Sequence, residues 1–207
     1  MPSPLRPAVF LDRDGVIIEN RADYVKSVAE VRFISGALAA LARLAAYDCA
    51  IVIITNQSPI GRGLVTAAVS DTINAYVRQQ IVQAGGRLDG LYVCPHTPLA
   101  GCVCRKPQPG LLLDAQAALG LDAAASVMIG DAVTDVLAGQ RAGAQAMLVL
   151  TGRGRQQAPE LARAGLAAVP VAADLPAALA AWVQRAAWLK KTPPSEGGRA
   201  DTRRILP

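Results

Sequence analysis

A chain of 207 residues with 52% hydrophobic and only 4% aromatic residues is long enough for one sizeable core built largely from Ala, Leu and Val, which suits helices packed on a sheet. No apolar run approaches the roughly 18 to 20 residues that a bilayer span needs, so a soluble cytoplasmic protein is the expectation. Of the formal charge of +5, residues 190–207 carry +3, from Lys190, Lys191, Arg199, Arg203 and Arg204 against Glu196 and Asp201. The body keeps only about +2, which argues against a cationic nucleic-acid groove.

In chain order, Ala8 to Leu11 reads as a buried strand that stops at Asp12-Arg13-Asp14-Gly15. Gly15 permits a sharp turn that returns Asp14 over the pocket at the strand end. Two such carboxylates suit aspartyl phosphotransfer. Asp12 attacks the phosphate ester, and Asp14 protonates the leaving alkoxide and then deprotonates the water that cleaves the acyl phosphate. A metal offsets the repulsion between nucleophile and phosphate. Taken alone, the segment reads equally well as a polar turn, so the rest of the chain decides.

Ser35 is placed to cap a helix carrying Leu38, Leu41 and Leu44. The apolar run Ala50 to Ile54 gives way to Thr55-Asn56-Gln57-Ser58, which offers a hydroxyl, an amide and backbone N–H groups to phosphate oxygens. Thr66 is placed to cap a longer helix through about Ala84. A strand at Leu91-Tyr92-Val93 leads through a loop to Arg105-Lys106-Pro107, whose charges can neutralise a transferring group. Pro109 starts a helix. The strand Ser126 to Ile129 leads into Gly130-Asp131, where Asp131 can complete an oxygen-rich Mg²⁺ site with Asp12. Asp135, four residues on, reads as an outer-sphere group, a helix cap or a direct ligand. Further strands are expected at Ala146 to Leu150 and Ala168 to Val171, and a last helix from Asp174 to about Leu189.

This alternation points to a single α/β domain over residues 1–189, a Rossmann-like doubly wound, mostly parallel sheet with helices on both faces. Residues 190–207 read as a basic, flexible tail or a packing arm. The gaps from Asp14 to Thr55 and from Thr55 to Lys106 are each consumed by a sheet–helix unit, so no cap domain is expected. The candidate groups fall at the carboxyl ends of strands, where ligands bind in open α/β sheets.

Cys94-Pro95-His96 and Cys102-Val103-Cys104 place four soft or borderline ligands just before Arg105-Lys106. Cys94, His96, Cys102 and Cys104 match a closed, tetrahedral Zn²⁺ site; disulfides or free loop thiols are the alternatives. Met1 to Pro7 shows no secretory signal, which disfavours disulfides. The loop 94–107 is rich in Pro and Gly, so it lacks a core of its own and a structural zinc would hold Lys106 in place. Cys49, at the start of an apolar run, reads as a small core residue.

Phe10-Leu11-Asp12-Arg13-Asp14-Gly15-Val16, Thr55-Asn56-Gln57-Ser58, Arg105-Lys106 and Gly130-Asp131, in this order, resemble the haloacid dehalogenase superfamily of phosphohydrolases over roughly residues 8–151. The resemblance implies Asp12 as nucleophile, Asp14 as acid/base, Thr55 and Lys106 as phosphate-binding residues, and Mg²⁺ held by Asp12, Asp131 and the backbone carbonyl of Asp14. The zinc loop narrows the likeness to the subfamily of D-glycero-D-manno-heptose 1,7-bisphosphate 7-phosphatases and histidinol-phosphatases. Within it, Asp23-Tyr24-Val25 and Ile60-Gly61-Arg62-Gly63 are nearer the heptose enzymes. Pro59 departs from a glycine usual in the family, and Ala132 stands where many members carry a basic residue.

The expected activity is therefore a Mg²⁺-dependent phosphomonoesterase acting on a small phosphorylated sugar or related metabolite, with the resemblance favouring the 7-phosphate of a heptose 1,7-bisphosphate. The sequence does not fix the oligomeric state, and a monomer is favoured. Asn56, Arg62 and Arg105 are further substrate-binding candidates, the two arginines for a second phosphate. A histidinol-phosphatase or other small-molecule phosphatase, a polynucleotide 3′-phosphatase and an inactive zinc-stabilised binding module are the alternatives.

Overall fold

The computed structural model describes residues 5–186, 189–191 and 203–205. Its strands are β1 (Arg6–Leu11), β2 (Ala50–Asn56), β3 (Gly90–Cys94), β4 (Leu121–Gly130), β5 (Gln145–Val149), β6 (Val171–Ala172) and β7 (Arg203–Ile205). The helices are α1 (Ala37–Leu44), α2 (Ser58–Gly61), α3 (Ala67–Gln83), α4 (Gly110–Leu119), α5 (Val133–Arg141), α6 (Gly154–Arg163) and α7 (Leu175–Arg185). The strands form one parallel sheet in the order β6-β5-β4-β1-β2-β3-β7.

Buried parallel strands must be apolar on both faces, and these are. Val9, Leu11, Ile51, Ile53, Val127 and Ile129 face α1, α3 and α7, meeting Leu41, Ile73, Val77, Leu179 and Trp182. The alternate residues Ala8, Phe10, Val52, Ile54 and Met128 face α4 and α5 through Leu111, Leu112, Ala115 and Ala138. Helices cover both faces, and the buried carboxylates Asp12 and Asp131 directly follow the carboxyl ends of β1 and β4.

Several element boundaries differ from the sequence reading. Gly36, in a left-handed conformation, takes the N-cap position of α1 in place of Ser35. Pro109 is the N-cap of α4, one residue before its first turn. The strand expected over 126–129 begins at Leu121, because β4 runs beside the start of β1 and continues past a register shift between Pro7 and Val9. The Ser126 hydroxyl accepts the Ala8 N–H there at 2.8 Å. The strand expected at 168–171 is displaced to Val171–Ala172, since Pro170 supplies only a carbonyl, to Leu148. Asp174 caps α7 as its side chain accepts from the Ala177 N–H, and that helix ends at Arg185 rather than near Leu189.

Most of residues 190–207 lies outside the described residues. Arg203–Ile205 run parallel to Leu91–Val93, and Lys190 and Lys191 lie against Asp48 and Tyr47. Among the described residues no helix is long and apolar enough to cross a membrane.

Candidate active site

From β1 the chain passes through β2 and β3 on one side, then returns to β4 on the other. The order therefore reverses between β1 and β4, and the crevice over their carboxyl ends is where a ligand belongs. A cavity of about 560 Å³ lies there, lined among others by Asp12, Asp14, Arg62, Arg105, Lys106, Asp135 and Arg153. Asn20, Tyr24 and Val25 supply another part of its wall.

Asp12 follows β1 and Asp131 follows β4. Gly15 has φ +90°, and a Cβ there would stand 2.1 Å from an Asp131 carboxylate oxygen, so only glycine lets the turn after Asp14 close over that carboxylate. At Gly130 a Cβ would stand 2.1 Å from the Asp135 Cβ, which makes this glycine the condition for bringing Asp135 down to the strand end. Asp135 caps α5 by accepting the Ala132 N–H at 3.0 Å. It also faces Asp12 and Asp131 as part of a three-carboxylate cluster. The capping role and the cluster coexist.

Lys106 enters this cluster from the loop after β3. Its ammonium lies 2.9 Å from Asp12 Oδ1 and 2.8 Å from Asp135 Oδ1, and donates to the Ile54 carbonyl at 2.8 Å. All three ammonium protons thus have acceptors. Burial alone would lower the Lys106 pKa, but Asp12 and Asp135 outweigh it and hold the pKa above the usual lysine value. Burial pushes the Asp135 carboxyl up to about 6, against the pull of Lys106. Burial, and then the Asp12 charge, also raise Asp131, while Arg153 opposes them. The pocket carries more buried negative charge than its lysine balances.

That excess tests the fit of a divalent cation. Ligand oxygens around Mg²⁺ lie roughly 2.9 Å apart when adjacent and about 4.2 Å when opposite. One oxygen each from Asp12, Asp131 and Asp135 lie within 4.8 Å of one another, so the donor set suits a hard, oxygen-seeking ion after small side-chain adjustment.

Asp14 is held differently. Arg13 donates to it from Nε at 3.0 Å, with an Nη2 to Oδ2 distance of 3.0 Å, and Gln57 Nε2 donates to Asp14 Oδ2 at 2.8 Å. Gln57 Nε2 also donates to the buried Thr55 hydroxyl at 2.9 Å. Both ends of the Asn56 amide are committed to the Lys106 backbone, at 3.1 Å each. This amide fixes the lysine's loop to the end of β2.

The cysteine loop forms a second centre. Cys94, Cys102 and Cys104 have sulfur–sulfur distances of 3.3 to 3.7 Å, and His96 Nδ1 lies 3.6 Å from Cys94 Sγ and 3.2 Å from Cys104 Sγ. Ligand atoms of a tetrahedral Zn²⁺ with Zn–S bonds of about 2.3 Å lie roughly 3.8 Å apart. All four cysteines are free thiols. Burial raises Cys94 and Cys104, and crowding by neighbouring sulfurs raises Cys104 further; a bound cation would relieve both effects. Arg105 donates to the His96 carbonyl at 3.1 Å, so the loop's centre and the crevice share a short covalent and hydrogen-bonded link.

Sequence reasoning did not single out three groups that face the crevice or its carboxylates: Gln57, Arg153 and, behind Arg13, Asn74. Arg153 follows the end of β5, and the strand-end rule applied to the apolar run before it would have drawn attention to it.

A family model described as HAD-hydrolase-like matches residues 103–178. The D-glycero-beta-D-manno-heptose-1,7-bisphosphate 7-phosphatase of Bordetella bronchiseptica is 39% identical over 158 residues, covering 76% of this chain and 87% of that one. The enzyme of the same name from Escherichia coli K12 is 38% identical over 180 residues, covering 84% and 93%. A crystal structure of the D,D-heptose 1,7-bisphosphate phosphatase of B. bronchiseptica, complexed with magnesium and phosphate, superposes with a TM-score of 0.81 at 38% identity, covering 87% of this chain and 99% of that one. Fold and similarity together define a phosphoric monoester hydrolase of the HAD type. Within that class the chain belongs to the D-glycero-beta-D-manno-heptose-1,7-bisphosphate 7-phosphatase family.

Proposed function

We propose that this protein removes the 7-phosphate of a heptose 1,7-bisphosphate through an aspartyl phosphate on Asp12. The observation that carries the reading is the meeting of Asp12, Lys106, Asp131 and Asp135 at the switch point of the sheet, in a chain with close heptose-bisphosphatase relatives.

Asp12 attacks phosphorus and the bond to the sugar C7 oxygen breaks. Asp14 gives its proton to that oxygen, so the leaving group departs as an alcohol. In the second half, Asp14 takes a proton from water as the water attacks the acyl phosphate, releasing inorganic phosphate and returning Asp12 to its carboxylate and Asp14 to its protonated form. Lys106 balances the charge on Asp12 and the incoming phosphate, with Thr55 at the adjoining strand end. Mg²⁺, held by Asp12, Asp131 and the Asp14 carbonyl with Asp135 behind them, would supply charge neutralisation of the transferring phosphoryl group. Zn²⁺ would be held by Cys94, His96, Cys102 and Cys104 in a structural role, since four protein ligands would leave no position for a catalytic water.

Arg62 and Arg105 line the crevice and are assigned to the 1-phosphate. A flexible sugar in an open site gains orientation from a remote anionic handle, and its binding energy can be used at the reacting end. The test compares kcat/KM for heptose 1,7-bisphosphate, histidinol phosphate and a phosphorylated DNA end. The heptose bisphosphate is expected to lead, and a higher value for either competitor would reassign the substrate.

A further inference from the structure

Arg13 stands between Asp12 and Asp14 in sequence, yet its side chain is 1% exposed. Its guanidinium is divided between two partners. Nε and Nη2 face the Asp14 carboxylate, and Nη1 donates to Asn74 Oδ1 at 2.6 Å. Asn74 lies on the buried side of α3, with Ile73 and Val77.

This arrangement is costly. A guanidinium has been taken out of water, and the Asn74 Nδ2 group finds no partner among the described residues, so its desolvation goes uncompensated. An apolar residue at position 74 would avoid the second cost. The amide is useful there only through its oxygen, and that oxygen does one thing: it fixes the far edge of the Arg13 guanidinium. A planar fork anchored at one edge cannot rotate, so the other edge presents fixed donors to Asp14.

We infer that Asn74 and Arg13 are positioning residues for Asp14, aiming its carboxyl at the leaving oxygen and later at the attacking water. The inference rests on the acid–base reading of Asp14. Misaiming a proton donor slows the loss of a poor leaving group far more than a good one, because an aryl oxide departs with little protonation. The value of kcat/KM reports the steps up to leaving-group departure, so its ratio between a sugar phosphate and an aryl phosphate isolates the effect.

The test compares Asn74→Leu, which removes the acceptor at similar volume, with Asn74→Asp, which keeps an acceptor oxygen facing Arg13. Asn74→Leu is expected to lower kcat/KM for the sugar phosphate at least tenfold and for an aryl phosphate less than threefold, and Asn74→Asp to restore most of the lost selectivity. Arg13→Lys, with its charge kept and its fork lost, is expected to repeat the Asn74→Leu pattern and serves if Asn74→Leu fails to fold. Equal losses on both substrates in whichever of these two variants folds, or an Asn74→Asp enzyme as impaired as Asn74→Leu, would overturn the inference. Asp14→Asn measured alongside separates the two readings. If Asp14→Asn itself shows no leaving-group selectivity, the acid role fails and this inference with it; if it does and the positioning variants do not, only the inference fails.

Discussion

Arg153 holds both oxygens of the Asp131 carboxylate, through its backbone N–H to Oδ2 at 2.8 Å and its guanidinium Nη2 to Oδ1 at 3.1 Å. Asp131 is fully buried while the Arg153 side chain is half exposed. The guanidinium therefore occupies lone pairs that a divalent cation at Asp131 would use, and the two positive charges repel.

Arg153→Ala should lower the melting temperature of the protein without magnesium, since a buried carboxylate loses its counter-ion. It should also tighten Mg²⁺ binding several-fold, so that the magnesium-induced rise in melting temperature becomes larger. Titration calorimetry checks the second point, and an unchanged affinity would mean that guanidinium and cation do not share this carboxylate.

Lys106→Met should be severe on two counts. It leaves Asp12 and Asp135 buried without their cation, and breaking such a set by removing one partner costs about 3–5 kcal/mol. Denaturant unfolding measures this, and added Mg²⁺ should recover part of the loss. A variant as stable as the parent would show that the two carboxylates take up protons without penalty.

The strand ends were legible because buried parallel strands write themselves as apolar runs, and Asp12, Thr55 and Asp131 each follow one. The meeting of Cys94, His96, Cys102 and Cys104 was legible because four such residues in so short a loop are rarely idle. Asn74 was not: its neighbours in α3 give only a helical pattern, and its role appears when Arg13 arrives from another element. Helix α6 was also missed, since Gly154–Arg163 is polar and contains Pro159. The first half of β4 was missed because Asp122 and its alanines lack strand character.

For the cysteine loop, one zinc ion per chain is expected in protein purified without chelator, and Cys104→Ser should lose it. The melting temperature should fall, and turnover should fall with it, because Lys106 sits two residues beyond Cys104. Metal analysis of both proteins is the check. A zinc content below a tenth of an equivalent in a normally folded parent would leave the cluster as loop thiols.

Cys49 gives a pH prediction with a definite sign. Burial pushes its thiol from 9.0 up to about 12, so between these values the unfolded chain releases a proton that the folded chain retains. Stability from this group is full below pH 9 and falls as the pH rises toward 12. The stability difference between Cys49→Ala and the parent should therefore shift in favour of the variant as the pH is raised from 8.5 to about 10.5. In the native protein Cys49 should resist alkylation at pH 8. A constant difference across that range would show that the thiol is not held neutral by burial.

Arg105 joins the two centres, since its guanidinium lines the crevice and is tied to the His96 carbonyl. If it holds the remote phosphate of a bisphosphate, its binding energy is available only to substrates that carry one. Arg105→Ala should then lower kcat/KM for heptose 1,7-bisphosphate by at least tenfold, while hydrolysis of a small aryl phosphate changes less than threefold. The form of the loss is informative as well. A rise in KM alone means that the guanidinium binds substrate and transition state equally, and a fall in kcat means that the handle also orients C7 for attack. Equal losses on both substrates would instead place Arg105 with the group that serves the transferring phosphate, beside Lys106, and would leave Arg62 and Arg153 as the candidates for the distal one.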